Sequence, residues 1–126
     1  PGWMELYRGR VTNFIEHVGR RNVPLIWILL PVMRDETATR DAGLVNEIVR
    51  AASKDYAYVS LVDTNSFSAD ESGAYQSHFN DLNGQKRQMR SSDGVHFERS
   101  GSELIGDLVM KRLRDVSPRF QALAPQ

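Results

Sequence analysis

The sequence predicts an α/β fold built on a parallel sheet, and three observations point to it. Helical stretches with an apolar stripe alternate along the chain with short apolar runs. Those runs, LIWILL at 25–30 and YVSLVD at 58–63, lack the strict polar alternation of a half-exposed strand, as strands covered on both faces do. The 126 residues, 40% hydrophobic and 25% charged, have the length and composition of one small globular domain. Alternating elements of this kind imply parallel strands joined by right-handed crossovers.

Taken in order, residues 3–21 read as a helix. Trp3, Leu6, Tyr7, Val11, Phe14, Ile15 and Val18 recur at three- and four-residue steps, and Gly19 and Asn22 stop the pattern. The first strand follows at 25–30 and Pro31 closes it. The polar segment RDETATRD at 34–41 reads as a loop. Residues 42–53 read as a second helix, with Leu44, Val45, Ile48, Val49 and Ala52 inward, and 58–63 as the second strand. Residues 64–92 are rich in Ser, Asn, Asp, Gly and Gln. So long an irregular segment is unusual in a compact domain and often functional. The pattern admits a short helix around 75–82. The last helix is expected over 100–114, with Leu104, Ile105, Leu108, Val109 and Leu113 as its stripe. Ser100 with Glu103 makes a capping-box pattern at its start.

Residues 1–116 are thus expected to belong to one domain, with 117–126 a peripheral tail. Two apolar strands make a poor sheet by themselves. The chain reads like part of a larger α/β domain, its missing strands supplied by another segment or by a second copy.

Composition excludes several function classes. There is no Cys, so thiol catalysis, disulfides and thiolate metal sites are out. Lys+Arg and Asp+Glu balance at 16 each, which gives no electrostatic reason to expect nucleic acid. The longest apolar run, 23–33, is interrupted by prolines and too short to span a bilayer. No phosphate-binding or dinucleotide glycine motif occurs. His17, His78 and His96 lack metal-ligand spacing, so no metal site is expected. The basic clusters GRR and KRLR lie at helix ends, where they complement the helix dipole.

In an open α/β sheet, ligands bind beyond the carboxyl ends of the strands. PVMRD after the first strand, DTNSF after the second and SDGVHF before the last helix would meet there. Asp93 and His96 are three residues apart in the last of these. A His takes a hydroxyl proton as general base when a carboxylate on its other ring nitrogen fixes the tautomer and stabilises the imidazolium. Gly94 allows a turn with positive φ, through which Asp93 would reach back to His96. The same spacing also occurs in ordinary turns. Asp63, at the end of the second strand, reads as a cap on the turn that follows. A receiver-like phosphoacceptor role for it would need an acidic pair and a lysine that are not placed.

SDGVHFERSGSELIGDLVMKRL resembles the C-terminal motif of the SGNH (GDSL-like) hydrolases, with Asp-x-x-His, an aromatic, a polar step and Gly before the last helix. WMELYRGRVTNFIEHVGRRNVPLIWILLPVMRD and VSLVDT are similar to a bacterial envelope-associated branch of that superfamily. The resemblance implies a flavodoxin-like three-layer α/β/α fold of which this chain is the later part. It implies His96 as general base and Asp93 as its orienting acid, with no cofactor. Arg90 becomes a candidate contact at the site edge, with a solvated loop charge as the alternative. Arg34 would face substrate or pair with a carboxylate. The substrate class implied is an acylated carbohydrate or other small ester, and the compartment the periplasm or cell envelope.

The family's Gly-Asp-Ser nucleophile motif and its Gly-x-Asn-Asp oxyanion motif do not occur here. Ser91, Ser92, Ser100 and Ser102 lie near His96 in sequence but read as loop polarity and helix capping. The expectation is therefore the Asp–His part of a Ser-His-Asp esterase or acyltransferase, inactive by itself. The alternative is a non-catalytic binding or scaffold domain that keeps the fold.

Overall fold

The computed structural model describes residues 2–121. Its centre is a parallel pair, β1 (Leu25–Ile28) and β2 (Val59–Val62), in register from Leu25 opposite Val59 to Ile28 opposite Val62. The crossover between them contains α2 (Glu36–Ser53), and α1 (Gly2–Gly19) precedes β1 and packs on α2. Val11, Ile15, Leu29, Ile48 and Val49 form one buried cluster, with Leu25, Trp27, Val59 and Leu61 against it. Those strand residues alternate along the chain, so one face of the pair meets α1 and α2. The opposite face carries Ser60, which shares a groove with Leu113 and Val116 near the end of α4 (Arg99–Val116). Helices thus lie on both faces of a parallel pair. The predicted α/β class holds, and the described residues are consistent with part of an α/β domain.

Several elements differ from the sequence reading. The stripe on α1 is split. Val11 and Ile15 are buried, whereas Trp3, Leu6 and Phe14 are half exposed, because α1 meets its neighbours along one edge only. The strands are shorter than expected, and β1 is only partly covered at its end. Ile28 is 42% exposed, since among the described residues β1 pairs only with β2. α2 begins six residues earlier than the apolar pattern suggests. Asp35 caps it, its Oδ2 accepting the Ala38 N–H at 2.8 Å, so the polar segment became helix through its cap.

Residues 75–82 form no helix. After the short α3 (Asn65–Ser68), β3 (His78–Asn80) and β4 (Lys86–Gln88) make an antiparallel hairpin. The Asp81 carboxylate closes its turn by accepting the Asn83 and Gln85 N–H groups, each at 2.9 Å. Such a side-chain turn competes with helix. Phe79 is the buried residue of the hairpin and joins Met89 and Leu104 in a second cluster under α4. The capping box at the start of α4 does not form. The helix starts at Arg99 after Glu98, and Glu103 pairs with Arg99 at 2.9 Å. Beyond α4, Ser117 is buried and α5 (Pro118–Gln121) follows. The rest of the expected tail, 122–126, lies outside the described residues.

Candidate active site

The segment that carries Asp93 and His96 is a tight hairpin turn. Residues 89–91 run antiparallel to 96–98, with a bridge between Arg90 and Phe97. The Ser91 N–H donates to the His96 carbonyl at 2.8 Å and the Glu98 N–H to the Met89 carbonyl at 2.8 Å. Four residues remain for the connection, and Gly94 takes φ +74° within it, a conformation that side chains disfavour.

The turn brings the two expected catalytic residues together. His96 Nδ1 lies 2.6 Å from Asp93 Oδ2. Asp93 Oδ1 accepts the backbone N–H groups of Val95 at 2.8 Å and His96 at 3.0 Å. The hydrogen bond to the His96 ring, then those from the two backbone groups, hold the Asp93 carboxyl far below the usual carboxylate range. An ionised carboxylate only accepts, so Nδ1 carries the proton, and the neutral ring presents its lone pair at Nε2. The His96 side chain is 78% exposed. Among the described residues no serine hydroxyl bonds Nε2. Ser77 Oγ does meet another imidazole, His78 Nδ1, at 2.9 Å, but no carboxylate stands behind that ring.

The turn docks on the loop after β1. The Arg34 N–H donates to the Gly94 carbonyl at 3.0 Å, and its Nη2 to the Ser92 carbonyl at 2.9 Å. Arg34 is exposed and, among the described residues, pairs with no carboxylate. Its guanidinium lies 5.6 Å from the Tyr75 ring centroid. With Val32, Met33, Thr39, Ala74 and Tyr75 it lines a cleft of about 420 Å³.

Arg90 occupies a different place from the one expected. It is fully buried, at 0% exposure, so it offers no surface at the site edge and is no solvated charge either. Its guanidinium lies between Phe97, 4.4 Å from the ring centroid, and Tyr75, at 5.0 Å. Nη1 donates to the Val32 carbonyl at 2.9 Å and Nη2 to the Val95 carbonyl at 2.8 Å.

Sequence reasoning missed the groups that hold the loop after β1. Asn46 of α2 accepts the Leu30 N–H and donates to the Leu30 carbonyl, at 2.9 and 2.8 Å. Thr39 does the same for Met33 through its hydroxyl, at 2.8 and 2.9 Å. Asn65 Oδ1 accepts the Val32 N–H at 2.8 Å. Polar residues on or beside otherwise amphipathic elements were the available signal. Asp63 caps its turn, Oδ1 accepting the Asn65 N–H at 3.0 Å, and its Oδ2 meets Arg50 at 3.2 Å.

The arrangement is a histidine bonded to a carboxylate on a hydrogen-bonded turn beyond the carboxyl ends of parallel strands, beside an exposed arginine. Among the described residues no helix is long and apolar enough to cross a membrane. No curated protein matches the chain. The profile of the family described as Protein of unknown function (DUF459) matches residues 1–112, and the chain belongs to that family.

Proposed function

We propose that this chain supplies the acid–base half of a serine-dependent acyl-transfer site of the SGNH type. The observation that carries the reading is the 2.6 Å contact between Asp93 and His96 Nδ1, with Nε2 left free on the solvent side. In this role His96 Nε2 takes the proton of a serine hydroxyl as that oxygen attacks an ester carbonyl. The imidazolium then returns the proton to the leaving alkoxide. Asp93 holds the ring and offsets its charge. The serine and the oxyanion donors come from polypeptide outside these 126 residues, an upstream part of the same domain. Without them the pair alone supplies little rate.

Arg34 is the substrate contact in this reading, and the cleft it shares with Tyr75 receives part of the ester. The long polar segment supplies the far wall through Ala74 and Tyr75. The substrate class is an acylated carbohydrate or another small ester of the bacterial envelope, which places the protein in the periplasm or at the envelope. No cofactor is needed for this chemistry.

A second reading is favoured by one observation, that no serine hydroxyl reaches His96 among the described residues. In it the domain keeps the fold and the Asp-x-x-His turn and binds without catalysis. Fluorophosphonate labelling with intact-mass detection separates the two, applied to this chain and to the longest native form of the protein. The hydrolase reading expects an adduct on the long form only, abolished by His96→Ala. An adduct on a serine within the 126 residues would move the nucleophile into this chain. No adduct on either form would leave the binding domain.

A further inference from the structure

The most unusual side chain in the molecule is Arg90. It is the largest of the fully buried side chains, and it is a cation. Burial pulls its guanidinium below its ordinary value, against the pull of Tyr75 and Asp93, yet an arginine stays charged in proteins. No carboxylate is in ion-pair contact with it among the described residues. Its Nε has no hydrogen-bond partner among the described residues. A buried charge of this kind costs free energy, and a purely structural position would be served by methionine or leucine.

What the guanidinium does reach is informative. One terminal nitrogen binds the Val32 carbonyl, in the loop after β1. The other binds the Val95 carbonyl, one residue before His96. The two aromatic faces over it come from Phe97, one residue after His96, and from Tyr75, which lines the Arg34 cleft. Each contact is made to a piece of the candidate site, and the two carbonyls belong to segments 63 residues apart in sequence.

We propose that Arg90 is the positioning residue of the Asp93–His96 pair. Its planar fork clamps the carbonyl before His96 to the loop after β1, so that the imidazole is held at a fixed place relative to Arg34 and the cleft. This rests on reading Asp93 and His96 as the acid–base pair. Arg90 touches no substrate in this role and acts only through His96. A lysine cannot replace it, because an ammonium on a flexible stem does not span two carbonyls in one plane.

The test reads the His96 ring in the folded chain by ¹⁵N NMR, at a pH where the imidazole is neutral. In the native chain a single tautomer with the proton on Nδ1 is expected. Arg90→Met removes both clamps while filling the space, and Arg90→Lys keeps the charge. In both variants the expected result is a shift of the His96 ring resonances as the turn leaves its place beside Arg34, with Ile15 and Val49 methyl resonances unmoved as the mark of an intact core. Unchanged His96 resonances in either folded variant overturn the proposal. Failure of both to fold also overturns it, because Arg90 would then serve the fold alone. Labelling by fluorophosphonate in the long native form separates this from the functional reading. A released ring in R90M, with no labelling of the native protein, leaves the positioning role and removes the hydrolase. Labelling of the native protein with an unmoved ring in R90M does the reverse.

Discussion

Gly94 and Arg34 are packed so closely that no side chain fits between them. A Cβ built on Gly94 would lie 2.6 Å from the Arg34 Cβ and 3.0 Å from its Cζ. Gly94 also takes φ +74°. The contact joins the turn that carries His96 to a residue lining the cleft, and it fixes the first prediction. Gly94→Ala meets both a strained backbone, about 1–2 kcal/mol, and the body of Arg34. We expect a loss of about 2–5 kcal/mol in urea unfolding, counting a further ~1–3 kcal/mol for overpacking. The exposed substitution Gly73→Ala also meets a positive φ but has nothing within 4 Å. It should cost only the backbone part, and equal costs at the two sites would show that the Arg34 contact carries no weight.

Asp93 gives the second prediction. Its carboxyl is held down by the His96 ring and by two backbone N–H groups, so its folded value lies below the unfolded value of about 3.9. The contribution to stability is therefore present above about pH 4 and is lost as pH falls through the folded value. Carboxyl ¹³C NMR should show Asp93 still ionised well below the ordinary carboxylate range. Asp93→Asn keeps an oxygen for the Val95 and His96 N–H groups, so the turn should survive. It loses the charge that fixes the tautomer, and turnover in an active parent should fall about a hundredfold or more. Titration of Asp93 in the ordinary range would break the argument at its first step.

The Asp93–His96 contact was legible in the sequence because it is made within one turn. Asp93, Gly94 and His96 sit within four residues, and the strands beside them close in the same short segment. Arg90 was legible only as a charge. Nothing local tells that its guanidinium crosses to Val32, because that contact depends on where β1 ends relative to the hairpin. The helix over 36–41 was lost for a related reason. Its sequence is polar on all sides, and the Asp35 cap outweighs the missing apolar period. The hairpin at 78–88 was hidden because its strands are three residues each and only Phe79 is buried. A two-residue period cannot be read from so short a run. The two central strands were placed correctly, but their apolar sequence promised more cover than the described residues provide.

Thr39 gives the third prediction. Its hydroxyl closes on both the N–H and the carbonyl of Met33, tying α2 to the loop that holds Arg34. Thr39→Val keeps the shape and removes the hydroxyl. The Met33 N–H would lose its partner in a half-buried place, at a cost of about 1–3 kcal/mol. Thr12→Val is an apt control, since the Thr12 side chain makes no such bond. The measurement is urea unfolding of both variants, together with hydrogen exchange at Met33. Faster exchange at Met33 without a global loss would locate the effect in the loop. Unchanged exchange would mean the hydroxyl does not hold it.

The hairpin gives the fourth. Phe79 is 6% exposed and packs with Phe67, Met89 and Leu104. Phe79→Ala should cost about 3–5 kcal/mol. Because no other residue of β3 or β4 is buried, the loss should first appear as local opening. Amides of residues 78–88 would exchange faster while those of α1 and α2 keep their protection. A uniform rise in exchange across the chain would show that the two clusters unfold as one.

Gly101 gives the sharpest test of packing, because local and tertiary terms predict opposite signs. It lies in the first turns of α4, where replacing Gly by Ala normally stabilises a helix by about 1 kcal/mol. Here the added Cβ would run into the Met89 carbonyl oxygen and the Phe97 ring. That carbonyl already accepts the Glu98 N–H, so it cannot swing away without breaking the pairing of 89–91 with 96–98. Phe97 covers one face of the Arg90 guanidinium, so it too has little freedom. Overpacking against backbone costs about 1–3 kcal/mol and should outweigh the helical gain. We expect Gly101→Ala to destabilise the chain and to disturb the His96 resonances, while Gly106→Ala, in the same helix with nothing within 4 Å, should stabilise it. Stabilisation by both would mean that α4 stands further from the hairpin than its buried face indicates. Destabilisation at Gly101 with His96 unmoved would separate the seating of the helix from the geometry of the turn.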